Sequence, residues 1–308
     1  MDALVNFFTR KYPSNFVAGI DDSNIIIIQN TAAKNNQFLL LLAVGIAYDP
    51  THCDVFTMHN YIMHKFEVDA CFKQLYNLAR NMHAKSSISM EVVVYPSLPE
   101  YAENYWCGSE RQYPFGDIKF YLHGDGTNSR VITGSALRQY IYDAVQCHDT
   151  KTGTSKEQNK RISGYMQYWN RQYLSPSLVV ADIDGAFYNS DKDITVLLEV
   201  KRSNIVPWHP YLEDLANYRL YHKLSRNLNP DSSYFVIQHR KPSGAILYDT
   251  STTVKFYSTN ALDEDVITRL TRYNKPAGDF LLHHNQPQKG EVLTLADICQ
   301  AINAILEL

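Results

Sequence analysis

The chain has 308 residues, of which 45% are hydrophobic and 20% charged, a composition typical of globular proteins and sufficient for one large domain or two ordinary ones. The formal net charge of −3 excludes a generic polycation, so any contact with nucleic acid would depend on a local basic patch. The longest apolar run, Phe38–Tyr48, is much shorter than the roughly 20 residues that span a bilayer, so it predicts buried strand and no membrane helix.

The cysteines and the N-terminus bear on the compartment. The five cysteines are odd in number and form no CxxC pair, which argues against a disulfide framework and against a zinc knuckle. The N-terminus lacks the basic and then apolar pattern of a secretory signal peptide. These features predict a protein of a reducing, cytoplasmic compartment that is not secreted.

The N-terminal half alternates between strand and helix patterns. Residues 1–12 have the amphipathic pattern of a short helix that ends before Pro13, and Val68–His83 has apolar residues at helical spacing. We predict an N-terminal α/β domain over residues 1–148, which is followed by a polar, turn-rich linker. The strand patterns cover Phe16–Ile20, Ile25–Gln29, Phe38–Tyr48, Val55–Phe66 and Ile88–Tyr95.

The C-terminal half begins with a helix pattern over Ser155–Tyr173, in which Ser155 and Gln158 have the spacing of a capping box. Two apolar strand patterns follow, and after them come a helix near residues 211–227 and a strand over Tyr234–His239. We therefore predict a second domain over residues 149–308. The whole chain is predicted to be α/β, with mixed sheets flanked by helices.

The two apolar strands of this half end in charged residues. The first leads into Asp182 and Asp184, and the second leads into Glu199 and Lys201. Residues i and i+2 of a strand lie on the same face, so Glu199 and Lys201 are neighbours. Charges are seldom left at the ends of buried strands unless they are paired or bind a metal. If the first strand continues through Tyr188, an antiparallel hairpin places Asp184 beside Glu199.

Between residues 155 and 239 the order of elements is helix, strand with Asp, strand with Glu-x-Lys, helix and strand. This order and these residues resemble the PD-(D/E)xK nuclease superfamily, over roughly a third of the chain. The resemblance implies a restriction-endonuclease-like αββαβ core in the C-terminal half. The N-terminal half would then be a mixed α/β region with a structural or DNA-reading role.

The resemblance also implies an activity, a metal-dependent DNA endonuclease that uses Mg²⁺ or Mn²⁺ to hydrolyse phosphodiester bonds. Asp184, with Asp182 as the alternative, and Glu199 would bind the metal together with the main-chain carbonyl of Val200. Lys201 would orient or deprotonate the attacking water and stabilise the developing negative charge. The residue before each aspartate is not proline, so the choice between Asp182 and Asp184 depends on the strand register.

Further residues are candidates for supporting roles. The resemblance also implies supporting residues, which in many relatives are an acidic or amide residue on the leading helix and a Gln and a Tyr on the following helix. Glu157 on the first of these helices, and Asp214 and Tyr218 near the second, are the residues here at corresponding positions, without the Gln. Phosphate contacts position a nucleic acid without reading its sequence. DNA is the predicted partner, RNA is an alternative substrate, and a homodimer is possible. No membrane contact is predicted. The protein is expected in the compartment that holds its DNA, which is the cytoplasm, the nucleoid or the nucleus. The candidate phosphate contacts are Lys156, Lys160, Arg161, Arg171, Arg202, Lys223 and Arg226.

Two alternatives compete with this interpretation. Asp21 and Asp22 end a strand pattern, and after three predicted strands and a helix Glu91 lies on a fourth, an order that resembles an RNase H-like fold. That resemblance implies metal-binding carboxylates at Asp21 or Asp22 and at Glu91. The other alternative is a non-catalytic protein in which the fold serves as a nucleic-acid-binding or assembly module. Independently of both, the strand pair could be a surface hairpin in which Glu199 and Lys201 form an incidental ion pair.

Overall fold

A computed structural model divides the chain into two compact units. Residues Met1–Ala18 and Ile183–Leu308 form the terminal unit, and Gly19–Asp182 form the inserted unit. The predicted α/β class is confirmed, since both units contain a mixed sheet flanked by helices. The structure describes residues 2–19, 23–30, 33, 37–49, 53–86, 88–97, 118–124, 128–149, 166, 169–170, 173–203, 215–229, 231–240, 247–258 and 291–307.

The helices and strands are numbered here along the chain. The structure gives α1 (Ala3–Lys11), β1 (Phe16–Ala18), β2 (Ser23–Asn30), β3 (Phe38–Ile46), α2 (Val55–Val68), α3 (Ala70–Ser86), β4 (Ser89–Pro96), β5 (Lys119–His123), β6 (Arg130–Thr133) and α4 (Gly134–Ala144). They are followed by β7 (Leu178–Asp182), β8 (Gly185–Asn189), β9 (Ile194–Arg202), α5 (Leu215–Leu228), β10 (Ser233–His239), β11 (Thr253–Ser258), β12 (Glu291–Thr294) and α6 (Leu295–Leu306). The helix predicted over Ser155–Tyr173 lies largely outside the described residues.

The predicted domain boundary after residue 148 falls inside the inserted unit. Strand β7 pairs antiparallel with β2, so the chain stays in the inserted unit as far as Asp182. Helix α1 and strand β1 belong with the C-terminal residues, because β1 pairs with β8. A sequence pattern shows neither fact, since both pairings join segments that are far apart along the chain.

The terminal unit is built on a six-stranded sheet in the order β1-β8-β9-β10-β11-β12. Among the described strands of this sheet, only β9 and β10 pair in parallel, because helix α5 lies in the crossover between them. The other described pairs are antiparallel. The β9 residues Ile194, Val196 and Leu198 pack with α1 and α6 in one core. Side chains alternate along a strand, so Glu199 and Lys201 lie on the opposite face, where α5 packs.

The inserted unit also has a six-stranded sheet, in the order β6-β5-β4-β3-β2-β7, with β3 and β4 parallel. The strand predicted over Val55–Phe66 is wrong, because this segment is helix α2. Asp54 caps the helix by accepting a 2.9 Å hydrogen bond from the Thr57 amide, and Met58 and Ile62 bury one face. Exposed apolar residues such as Phe56 gave the segment a misleading, strand-like alternation. In the part of the chain that the structure describes, no helix is long and apolar enough to cross a membrane.

Asp2 ties the start of the terminal unit to strand β10. Its carboxylate accepts a 2.9 Å hydrogen bond from the Leu4 amide at the start of α1 and lies 3.1 Å from Nε2 of His239, a buried residue. Burial raises the pKa of the Asp2 carboxyl, but the hydrogen bond and charge of His239 and the amides of Leu4 and Val5 outweigh burial and lower it overall. Asp2 therefore stabilises the fold in its ionised form.

We expect Asp2→Asn to lower the free energy of unfolding by about 1–3 kcal/mol at neutral pH, because a charged hydrogen bond to a buried partner is lost. Because folding lowers the pKa of Asp2, its ionised carboxylate stabilises the fold at every pH above its pKa in the unfolded chain, about 3.9. This stability is lost as the pH falls through its pKa in the folded protein. The difference from wild type should therefore shrink below about pH 4. Urea unfolding between pH 3 and pH 7 measures this difference, with the exposed Asp231→Asn as the control. A difference that stays constant down to pH 3 contradicts the assignment.

Candidate functional site

Asp184 lies at the entrance to strand β8, beside strand β9. Its Oδ2 accepts a 2.7 Å hydrogen bond from the main-chain amide of Val200. The register pairs Gly185 with Leu198, so Asp184 comes next to Glu199 in the hairpin. On the other side of β8, Gly185 permits the close approach of Phe16 of β1, because a Cβ there would lie 2.7 Å from the ring of Phe16. The chain therefore holds the Asp184 carboxylate at a fixed place on the Glu199 strand.

Asp182 is on a different sheet. It ends β7 and is in register with Ile26 of the inserted unit. The expectation of one continuous strand through Asp182, Asp184 and Tyr188 is therefore wrong, because the chain passes from one sheet to the other at Ile183. The structure brings Asp184, and not Asp182, into the β8–β9 hairpin.

Glu199 and Lys201 form a close ion pair on the face of β9 that α5 covers. Lys201 Nζ lies 2.7 Å from Glu199 Oε1, and their side chains are 22% and 9% exposed. The ammonium also lies 5.9 Å from the ring centroid of Tyr218, a predicted supporting residue on α5. The pair is therefore largely withdrawn from water on one side, while the lysine keeps a route to solvent.

A buried phenol on β10 lies next to both carboxylates. Tyr234 is fully buried and stacks on Tyr221 of α5, with ring centroids 4.8 Å apart. Burial raises the pKa of Tyr234 well above its usual value, and negative charge on Glu199 and on Asp184 raises it further. The phenol therefore stays protonated beside two acids. Sequence analysis missed Tyr234, because its position depends on the register of two parallel strands.

Gln238 holds the end of strand β9. It is in register with Lys201 and is buried, and its Nε2 donates hydrogen bonds to the carbonyls of Ser203, at 2.9 Å, and His239, at 3.1 Å. The Ser203 amide donates in turn to the His239 carbonyl at 3.1 Å. The main chain that follows Lys201 is thus fixed from the neighbouring strand. The one feature of the sequence that could have identified Gln238 is its position as a polar residue at the end of an otherwise apolar strand.

The structure places some of the remaining candidate residues and leaves others outside its described part. Arg202 lies on the opposite face of β9 from Lys201, with Nη1 3.9 Å from Asp2 Oδ2 and a side chain that is 52% exposed. Lys223 and Arg226 lie on α5, which packs on the Glu199 face. The remaining candidates fall outside the described residues: Glu157, Asp214, Lys156, Lys160, Arg161 and Arg171.

The carboxylates of the RNase H-like alternative are not assembled by the described residues. Asp21 and Asp22 lie outside them, and Glu91 is a half-buried residue of β4 that accepts a 3.0 Å hydrogen bond from the Tyr140 hydroxyl. Burial raises the pKa of Glu91, while Tyr140 and Arg130 oppose the rise. Within the described part of the inserted unit, two strands and not three precede the helices, because Val55–Val68 is helical.

Oxygen donors that could bind a metal meet at the β8–β9 hairpin. Among the residues with a described position, no three His, Cys, Asp or Glu side chains form a group that could hold a metal ion. Asp184 and Glu199 are two such acids. A strand residue directs its N–H and C=O to the same neighbouring strand, so the Val200 carbonyl points to the side of β9 on which Asp184 lies. Two carboxylates and a carbonyl fit Mg²⁺, which usually keeps several waters and binds substrate phosphate.

Comparison of the chain with protein-family models, with curated proteins and with solved structures found no match. The chemistry of the site is therefore inferred from the residues that form it. Those residues are two acids, an amine and a phenol, and they lie just before β8 and on the adjacent strands β9 and β10.

Proposed function

We propose that the protein is a metal-dependent endonuclease of the PD-(D/E)xK type that hydrolyses phosphodiester bonds in DNA. The observation that carries the proposal is the position of Asp184. Its carboxylate is bound to the amide of Val200, the residue between Glu199 and Lys201, which form an ion pair on the same strand. Asp184, Glu199 and Lys201 are the three side chains that the motif requires, and these two contacts support the proposal.

The order of elements in the terminal unit supports the proposal. Strands β8 and β9, helix α5 and strand β10 follow one another in the order that a restriction-endonuclease-like core requires, with β10 parallel to β9. Helix α1 packs on this sheet, and the proposal assigns to it the role of the leading helix of such a core, which the sequence predicted at 155–173. In this arrangement β1 is an additional strand next to β8, and the inserted unit interrupts the core between β1 and β8.

The proposed metal ligands are Asp184, Glu199 and the carbonyl of Val200. A bound Mg²⁺ or Mn²⁺ polarises a phosphoryl oxygen and lowers the pKa of an attacking water. The Val200 amide fixes Asp184 Oδ2 and so orients the carboxylate, and the fully buried Tyr234 is close enough for the charges of both acids to act on its hydroxyl.

Lys201 is the residue to which we assign the orientation of the attacking water and the stabilisation of negative charge on the phosphate. Its ammonium lies beside Glu199 and 5.9 Å from the ring centroid of Tyr218, so a water or phosphate oxygen near these acids is within its reach. The ammonium orients the water by hydrogen bonding, and its charge stabilises the negative charge that develops on the phosphate oxygens.

A cleavage assay tests the proposal. The purified full chain is incubated with plasmid, linear and branched DNA, and with RNA, in Mg²⁺, in Mn²⁺ or in EDTA. We expect internal cuts in DNA that require the metal and stop in EDTA. Cleavage of RNA but not of DNA would make RNA the substrate. Failure to cut any substrate with either metal would contradict the proposal. Metal-independent binding without cutting would instead support the non-catalytic alternative.

A further inference from the structure

One row of side chains crosses the terminal sheet on the face that carries Lys201. The register places Lys201 of β9 beside Gln238 of β10, and Gln238 beside Lys255 of β11. Residues that lie side by side on neighbouring strands project to the same face of a sheet. Val254 and Phe256, the neighbours of Lys255 along β11, pack with the core on the other face, in agreement with this placement. Lys255 therefore lies on the same face as the candidate site.

The two lysines of this row are far enough apart to bind different phosphates. Neighbouring strands lie about 4.8 Å apart, so the Cα atoms of Lys201 and Lys255 are separated by about 10 Å. Gln238 lies between them, buried and bound to two main-chain carbonyls, so this spacing is fixed. One strand of a duplex carries a phosphate about every 3.4 Å along its axis. The spacing therefore matches two phosphates that are about three nucleotides apart.

Lys255 is a half-buried cation without a counter-charge in the described part of the chain. None of the described residues forms an ion pair or a hydrogen bond with its ammonium. Lysines are seldom withdrawn from water unless they are paired. A lysine on an edge strand can block pairing with another chain, but β11 is already paired on both sides, with β10 and with β12. The charge of Lys255 therefore favours an anionic ligand.

The strand next to Lys255 leaves this face of the sheet accessible. Val292 of β12 lies beside Lys255 in the register and is 66% exposed. Helix α5 covers β9 and β10 on the same face. Solvent therefore reaches the sheet beside Lys255, and a nucleic-acid strand can approach its ammonium from the side of β12.

We infer that Lys255 binds a backbone phosphate of the substrate, about three nucleotides from the phosphate that is cut at Lys201. This inference rests on the proposed nuclease function and adds a binding residue that the sequence analysis missed. A contact with a second phosphate fixes the position of the strand without reading its sequence. Lys255 thereby helps to hold the scissile phosphate at the metal ligands and at Lys201.

The salt dependence of DNA binding tests this contact. K255Q is compared with wild type and with K11Q, which removes an exposed lysine from α1 on the opposite face of the sheet. Binding of a fluorescent duplex is measured in Ca²⁺ between about 50 and 200 mM salt. Loss of one phosphate contact lowers the slope of log K against log salt by about 0.9, so this rise in salt should weaken K255Q binding about three- to fourfold less than wild-type binding. K11Q should keep the wild-type slope.

Replacement of single phosphates locates the contact. Each phosphate of one strand is exchanged in turn for a neutral methylphosphonate, and the affinity of each duplex is measured for wild type and for K255Q. The exchange at the phosphate that Lys255 binds should weaken wild-type binding and leave K255Q binding unchanged, because the two changes remove the same contact.

An unchanged slope in K255Q, or additive effects at every exchanged phosphate, would overturn the inference and leave the nuclease proposal intact. K255M keeps an unbranched apolar side chain and should lose the same slope, so the test stays valid if K255Q unfolds. Bis(4-nitrophenyl) phosphate has no second phosphate, so its hydrolysis by wild type tests the nuclease proposal alone. Absence of this hydrolysis, with the reduced slope of K255Q observed, would sink the nuclease proposal and leave the phosphate contact standing.

Discussion

Replacing Lys201 by alanine is expected to lower metal-dependent DNA cleavage by about 10²–10⁴-fold, the usual effect of removing a group that assists proton transfer. The ammonium lies 2.7 Å from Glu199 and reaches the same acids that would hold the metal. Substrate binding should change little, because one positive charge among several phosphate contacts is lost. Single-turnover cleavage rates with saturating enzyme measure the chemical step directly.

The matched control is Lys192→Ala, which removes an exposed lysine from the turn at the other end of strand β9. It should cleave at the wild-type rate. Lys201→Met keeps an unbranched apolar side chain at this position and removes the ammonium, so loss of activity in this variant separates chemistry from packing. If Lys201→Ala and Lys192→Ala cut equally well, Lys201 has no part in the reaction.

The choice between the two aspartates gives the second large effect. Asp184→Asn should reduce cleavage by at least about 10²-fold, since each 1.4 kcal/mol of lost charge stabilisation is a factor of ten. The amide oxygen of asparagine can still accept from the Val200 amide, so the fold should persist. The cleavage rate of Asp182→Asn should stay within about twofold of the wild-type rate, because Asp182 lies on the sheet of the inserted unit.

Cleavage rates and Mn²⁺ affinity, measured by calorimetry on both variants, should change together. Loss of Mn²⁺ binding in Asp182→Asn with normal binding in Asp184→Asn would reverse the assignment. Unfolding curves for both proteins are the check that neither substitution acts through stability.

Local patterns predicted the parts of the site that are close in sequence. Glu199 and Lys201 are two residues apart on an apolar strand, so their common face follows from the strand period, and the ion pair agrees with it. The helical spacing of Val68–His83 likewise predicted helix α3. In each case the residues that contact one another are only a few positions apart in the sequence.

Contacts between distant segments could not be predicted. Helix α1 packs with β8 and β9 through Phe8 and Phe187, whose ring centroids are 4.9 Å apart although the residues lie far apart in the chain. Tyr234 and Gln238 meet the site because β10 pairs with β9 in one register, and a shift of one residue would turn both away. The break between Asp182 and Asp184 has the same origin, since pairing and not local pattern decides where one sheet ends.

The position of the metal site is tested most directly by oxidative mapping with Fe²⁺. In ascorbate and peroxide, a bound Fe²⁺ generates radicals that break the nearest main chain, and mass spectrometry locates the cuts. We predict cuts near Asp184 and near Glu199 to Lys201 that excess Mg²⁺ suppresses and that Asp184→Asn abolishes. Cuts near Glu91 instead, or no cut that Mg²⁺ suppresses, would contradict a metal site on the β8–β9 hairpin.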